Sequence, residues 1–230
     1  QINYKNTEAM LKRLLENSWG FLICRINQKK KPLQKKKARR RGPWARGPEP
    51  VDGARNGNMT QFAGGDKATV ERLRPMMELM GPVHYMGGNG TGAITKLASN
   101  QLWAIHATAM GEALVMAVKS GVDLSRAWGA LKIGASESWC MHHDAPSVFQ
   151  GHYDPSFTLD LCMKDLGLIV GACDTAGTES PVTRLVHDRF AKAHRTYGGN
   201  KGELHVVKLE EDAAGVNLQM PGDWVPHWEK

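Results

Sequence analysis

From Gly90 to Asn100 the chain reads as a glycine turn running into a helix, and the next twenty residues, through Trp103, Ile105, Met110, Leu114, Val115 and Val118, are apolar on nearly every side of a helical repeat. A helix that is greasy all round belongs in a core, so this stretch predicts a buried helix entered from a glycine turn at Gly90-Thr-Gly92. Two polar residues interrupt it. Lys96 and Asn100 stand one turn apart and so share a face. A primary amine on such a helix suffers a large desolvation penalty unless it has a partner or a use.

The pattern on either side sets the fold class. Residues 58–63 and 83–86 read as short strands. Between them, Asp66 can cap a helix over 67–80, stopped by Gly81-Pro82. Residues 88–218 read as helices throughout, with breaks at 121–123, 134, 144–146, 151–156, 178–181 and 197–199. Asp123 and Ser180 can each cap a following helix, the second with Pro181 at its first position. The expectation is a mainly α protein: an all-helical domain preceded by the end of an α/β domain at 51–87, with a tail at 219–230.

Residues 1–50 do not match the rest. Residues 7–19 could form one amphipathic helix. Residues 25–46 then carry eleven Lys and Arg and no acid, and Pro/Gly-rich sequence follows. Like charges this dense repel, so a disordered tail is expected. The whole chain has a formal charge of +7, which becomes −4 without those eleven residues. The basic character therefore belongs to the tail and not to the body. Nuclear targeting or nucleic-acid contact through 25–46 is one reading and a solvated charge run the other. No aromatic residue interleaves the dense basic run at 29–41, which weakens nucleic-acid binding. The chain does not open on Met, so a fragment or a processed chain is also expected.

With 230 residues and 41% apolar content there is material for a real core. No run is long enough to span a membrane. Cys24, Cys140, Cys162 and Cys173 lack metal-ligand or redox spacing and read as free thiols of a reducing compartment, here the cytoplasm. His142-His143-Asp144 was weighed as a metal site. Neighbouring histidines on an extended loop point apart and no further ligand has the right spacing, so no metal is expected. Trp103, Trp128 and Trp139 read as core.

The spacing Gly90-x-Gly92-x-x-x-Lys96-x-x-x-Asn100 resembles the catalytic motif of the β-hydroxyacid dehydrogenases, the family of 3-hydroxyisobutyrate and 6-phosphogluconate dehydrogenases. The stretch Phe157-Thr-Leu-Asp-Leu-Cys-Met-Lys164-Asp165-Leu166-Gly167-Leu168 resembles the same family's Lys-Asp-Leu-x-Leu cofactor motif, and the likeness covers about 51–218. The resemblance implies a 6-phosphogluconate-dehydrogenase-like helical domain behind a Rossmann-type remnant, a homo-oligomer built through the helical domain, and NAD or NADP as cofactor. It implies Lys96 as general acid/base in oxidising a small β-hydroxy acid. Asn100, Gly90 and Gly92 would lie at the substrate, and Phe157, Lys164 and Asp165 at the cofactor.

The chain departs from the family in three places. The substrate loop Ser-Gly-Gly reads here as Arg46-Gly47 with longer spacing and no serine, leaving Gly47 as the candidate. Ile169 stands where a small alanine is expected. No Gly-x-Gly-x-x-Gly turn lies in residues 1–50. Gly88-Asn-Gly90-Thr-Gly92-Ala93 imitates one, but helix follows where a second strand and its acidic residue should stand. Two alternatives to an active dehydrogenase follow: a non-catalytic helical dimerisation module with a basic tail, or a truncated frame. The bland reading of Lys96 is a lysine snorkelling to the surface.

Overall fold

The computed structural model of the chain describes residues 59–222. The readings of a helix at 7–19, a basic tail at 25–46 and the loop glycine Gly47 lie outside the described residues, as does the end of the C-terminal tail. The described chain divides into two compact units, 59–95 and 96–222.

The first unit is a single βαβ turn. Strand β1 (Gln61–Gly64) pairs in parallel with β2 (Val83–Gly87), and helix α1 (Lys67–Met77) makes the crossover. Asp66 caps α1 as expected, its carboxylate accepting from the Thr69 amide at 2.9 Å. Parallel strands need such a crossover, and it covers one face of the pair. Ala63, Val70, Met77 and Val83 form the buried core, with Leu73 and Tyr85 packed against it. Gln61 is buried and its Nε2 donates to the Met77 and Gly81 carbonyls, tying the helix end to the turn before β2. Two glycine turns lie side by side at the carboxyl ends of the strands. A Cβ on Gly92 would stand 2.4 Å from the Phe62 carbonyl oxygen, so only glycine lets β1 and the helix start approach this closely.

Helix α2 (Thr91–Lys119) begins in the first unit and is the spine of the second. Around it stand α3 (Leu124–Leu131), α4 (Ala145–Gln150), α5 (Leu159–Ala176), α6 (Pro181–Tyr197) and α7 (His205–Ala214). Leu97, Ala104, Ala107, Met110 and Leu114 bury one side of α2. Small residues allow close contact there: a Cβ on Gly111 would already touch Val207 of α7 at 3.0 Å. Trp103 meets Phe190 of α6, and Gln101 donates to Thr183 of the same helix. Lys119 donates to the Ala214 carbonyl at the far end of α7.

The mainly helical class, with a βαβ remnant before it, is as the periodicity predicts. Several local expectations need correction. The α2 helix is not buried all round: Leu102 and Met116 are exposed on its outer side. Ser180 occupies the cap position of α6, but its backbone is left-handed and its side chain makes no capping bond. Residues 144–146 are not a break, because a π-helical turn, Cys140–Asp144, runs directly into α4. His142 and His143 therefore sit on a helical turn and not on an extended loop. His142 pairs with Glu137 at 3.3 Å, and His143 stacks on Trp139 with ring centroids 3.7 Å apart. Trp139 is exposed, not core. Trp128 reaches inward, donating to the Met141 carbonyl and meeting Phe149 edge-on.

The loop from α4 to α5 is held unusually tightly. Tyr153 and Asp154 both have positive φ, at 53° and 45°. Non-glycine residues adopt this conformation only where surroundings enforce it. The enforcement comes from Gly202, where a Cβ would stand 2.2 Å from the Asp154 carbonyl oxygen, and from buried Glu211, which accepts from the Tyr153 hydroxyl and the Leu218 amide, each at 2.7 Å. Gly202→Ala is expected to destabilise the helical unit by about 2–4 kcal/mol, because the clash is with backbone and cannot be relieved by a rotamer change; a urea titration of the variant against wild type measures it.

Candidate active site

The second unit brings together four residues singled out from the sequence. Lys96 Nζ donates to Asn100 Oδ1 one helical turn further along α2. Asn100 Nδ2 donates across to Asp165 Oδ2 on α5 at 2.8 Å. The other carboxylate oxygen of Asp165 lies 3.3 Å from Lys164 Nζ. Two motifs separated by more than sixty residues (|i−j| = 65 for Asn100 and Asp165) thus close into one polar chain. The packing of α5 on α2 makes this possible. Thr158 caps α5, and buried Leu159, Cys162, Leu166 and Ile169 anchor its inner side. The departure at Ile169 is absorbed there, as a fully buried core residue.

The Lys96 side chain is half-buried and turns along α2 to Asn100. Burial pushes its pKa down from 10.5 to about 8, against the opposing pull of the Asp165 and Glu203 carboxylates. Desolvation disfavours the ammonium more than the two acids favour it. The lysine is thereby placed where it can give up or take a proton near neutral pH.

Glu203 is the residue that the sequence reading missed, and Asp144, considered there only as a metal ligand, acts on it. The Glu203 carboxyl is deeply enclosed, although the residue as a whole keeps some exposed surface. Burial pushes its pKa well above the ordinary range, with Asp144 and Asp154 adding like-charge repulsion and Lys96 opposing. Its backbone amide is fixed by the Phe157 and Asp154 carbonyls, so the tight loop around Gly202 sets its place. Asp144 is buried and pushed up to about 6, chiefly by burial; the Trp103 indole, donating at 2.8 Å, and the Cys140 thiol oppose that rise. No spacing signal marks Glu203, since it acts on the lysine through tertiary packing and not along one helix.

The remaining candidates stand apart from this chain of bonds. Phe157 is half-buried just before α5, and its carbonyl accepts from the Glu203 amide at 2.8 Å. Gly90 and Gly92 belong to the first unit, in the turn that starts α2, where Gly90 has a φ of 91°. Among the described residues no group of three or more His, Cys, Asp or Glu is arranged to hold a metal ion. Nor is any described helix long and apolar enough to cross a membrane.

Comparison with known proteins gives this geometry its context. Residues 90–209 match the family described as the NAD-binding domain of NADP-dependent 3-hydroxyisobutyrate dehydrogenase. The chain is 37% identical over 169 residues to a probable 3-hydroxyisobutyrate dehydrogenase-like 1, mitochondrial, of Arabidopsis thaliana, covering 73% of this chain and 50% of that protein. It is 32% identical over 167 residues to 2-hydroxy-3-oxopropionate reductase of Escherichia coli, covering 72% of this chain and 57% of that protein. A solved structure of Mycobacterium tuberculosis 3-hydroxyisobutyrate dehydrogenase with L-serine superposes with a TM-score of 0.64 at 26% identity, covering 69% of this chain and 57% of that one. The chain spans about half the length of the curated relatives it matches.

The lowered pKa has a consequence for stability. Below pH 8 the folded protein must keep a poorly solvated ammonium, a cost that the unfolded chain does not bear. Between about 8 and 10.5 the unfolded chain holds the proton and the folded one does not, so stability from this group rises with pH. Lys96→Met is therefore expected to stabilise the chain by about 1–3 kcal/mol at pH 7. The gain should fade as pH rises through that window, as thermal melts at pH 7 and pH 10.5 will measure.

Proposed function

The chain belongs to the 3-hydroxyisobutyrate dehydrogenase family, and from that premise we propose that it serves an NAD(P)-dependent oxidoreductase acting on the CH–OH group of a small β-hydroxy acid. The observation that carries this reading is the Lys96–Asn100–Asp165 arrangement, with a desolvated amine whose pKa is lowered to about 8.

In this reading Lys96 takes the hydroxyl proton as the carbon is oxidised and returns it in reduction. The neutral amine is the base and the ammonium the acid, and a pKa near 8 keeps both forms accessible around neutral pH. The nicotinamide, when bound, supplies the hydride acceptor. Lys164 and Asp165 fit its neighbourhood as a cation and a carboxylate on α5 adjoining the lysine's own hydrogen-bond chain, and Phe157 adds an aromatic ring just before that helix. The pyrophosphate-binding turn Gly-x-Gly-x-x-Gly does not occur in these 230 residues. Asn100 offers an amide N–H to the substrate oxygen. Gly90 and Gly92 would lie near the substrate in the turn before α2, and Gly47 in the loop that would hold its carboxylate.

The free thiols Cys140, Cys162 and Cys173 fit a reducing compartment such as the cytoplasm.

A homo-oligomer built through the helical unit is part of the same reading. Ala98, Leu102, Ala109 and Met116 follow one another at helical spacing along the exposed side of α2. Such a stripe is suited to a second copy. That stripe also favours the second reading, a dimerisation module without catalysis whose basic residues 25–46 bind polyanions. Unchanged salt-dependent retention on DNA after their deletion would remove the polyanion part of it.

Two outcomes are expected. NADH or NADPH should bind the chain at millimolar concentration or tighter, and Lys96→Met should lower turnover of a responding hydroxy acid by about 10²–10⁴-fold with little change in cofactor binding. No cofactor binding at that concentration would show that the chain by itself is not a dehydrogenase. Leu102→Lys with Met116→Lys should halve the mass seen by light scattering; an unchanged mass would place the contact elsewhere.

A further inference from the structure

We infer that Asn89 is a site of spontaneous modification: the turn that starts α2 leaves its side-chain amide and the Gly90 nitrogen free to react, so that Asn89 loses ammonia and becomes aspartate or isoaspartate. The inference stands apart from the dehydrogenase reading, since it needs neither cofactor nor substrate.

The chemistry needs a backbone nitrogen free to attack, a side-chain amide free to turn toward it, and no bulk between them. The turn supplies all three. It runs Gly88-Asn89-Gly90-Thr91 and is closed by Thr91, whose amide and hydroxyl both donate to the Gly88 carbonyl, at 3.2 and 2.8 Å. Asn89 and Gly90 form its tip, and Asn89 is exposed. Among the described residues neither the Gly90 N–H nor the Asn89 side chain makes a hydrogen bond. The Asn89 amide oxygen lies over Gly65, where even an added Cβ would stand no closer than 3.4 Å. Gly90 has a φ of 91°, which the third position of such a turn demands and a residue with a Cβ adopts only under strain. The fold therefore keeps, directly after Asn89, the one residue type that leaves its nitrogen open.

In the reaction the Gly90 nitrogen gives up its proton to hydroxide and attacks Asn89 Cγ. The new C–N bond closes an imide ring, the bond from Cγ to the side-chain nitrogen breaks, and that nitrogen leaves as ammonia with a proton from water. Water then opens the ring. Cleavage at the side-chain carbonyl gives aspartate at 89, and cleavage at the backbone carbonyl gives isoaspartate, with one more carbon in the main chain. The sum consumes water and releases ammonia, with no oxidant or reductant.

The two products differ for the fold. Aspartate puts a negative charge just ahead of α2, whose first turn holds no acid, and the positive end of the helix favours it. Isoaspartate lengthens a turn that has no slack. A Cβ on Gly64 would stand 2.8 Å from both the Gly88 oxygen and the Gly92 nitrogen, so β1 and the turn already touch backbone to backbone. The longer chain loses the closing bonds from Thr91 to Gly88.

Peptide mapping by mass spectrometry reads the modification after the full chain is held in warm, mildly alkaline buffer, native and in urea. In the native chain the peptide holding Asn89 should gain the mass that separates Asp from Asn, at a rate comparable with that in urea and ahead of the peptides holding Asn100, Asn200 and Asn217. Cleavage at Lys67, Arg72 or Arg74 keeps it apart from the Asn56-Gly57 pair, which lies outside the described residues. Asn89→Gln should abolish the gain. An Asn89 that survives in the native chain, whatever its fate in urea, overturns the assignment. Hydrogen exchange then reads the consequence: the Thr91 amide should exchange faster in the separated isoaspartate form and as in wild type in Asn89→Asp. A Thr91 amide equally protected in the isoaspartate form overturns the claim that the turn has no slack.

Discussion

The candidate site turns on one amine that has lost much of its water. Burial of the Lys96 side chain lowers its pKa to about 8. Desolvation alone would leave a poorly satisfied cation. Asn100 supplies its hydrogen bond, and Asp165 supplies both an anchor for Asn100 and an attractive charge. Burial outweighs the Asp165 and Glu203 carboxylates. A fully exposed lysine would stay charged, and one with no acid nearby would be harder still to protonate.

The acids deeper in the unit serve the same balance. Glu203 and Asp144 are both raised in pKa, each mainly by burial, so their negative charge is itself held in check. Were Glu203 readily ionised, Lys96 would be drawn back toward an ordinary pKa; Asp144 acts on Glu203 by like-charge repulsion. The strained Tyr153–Asp154 pair, braced by Gly202 and Glu211, fixes the Glu203 backbone. Backbone strain in one loop is thus tied, through packing, to the environment of an amine on another helix.

Much of this was legible in the residues because it is local. The 3.6-residue repeat exposes the helices, Asp66 and Asp123 cap where they should, and the i,i+4 spacing of Lys96 and Asn100 puts them on one face. The Lys164-Asp165 pair was visible as a motif, but its bond to Asn100 belongs to helix packing. Glu203 was invisible because only the fold brings it near the lysine, and Asp144 was visible only as a rejected metal-ligand candidate. The expectation of an evenly buried α2 failed for a related reason: apolar residues all round a helix do not say which side a partner covers, and Leu102 and Met116 remain outside. Ser180 misled because composition marks a cap position, whereas its left-handed backbone, which composition does not set, carries no capping bond.

The central claim concerns the charge state of a single nitrogen, and the most direct test is its own titration. The ζ-nitrogen of Lys96, assigned through the Lys96→Met variant, can be followed by heteronuclear NMR across the alkaline range. A midpoint near 8 is the value that burial dictates. A midpoint near the ordinary lysine value of 10.5 would mean that the amine is solvated after all, and the account of this site would fall with it.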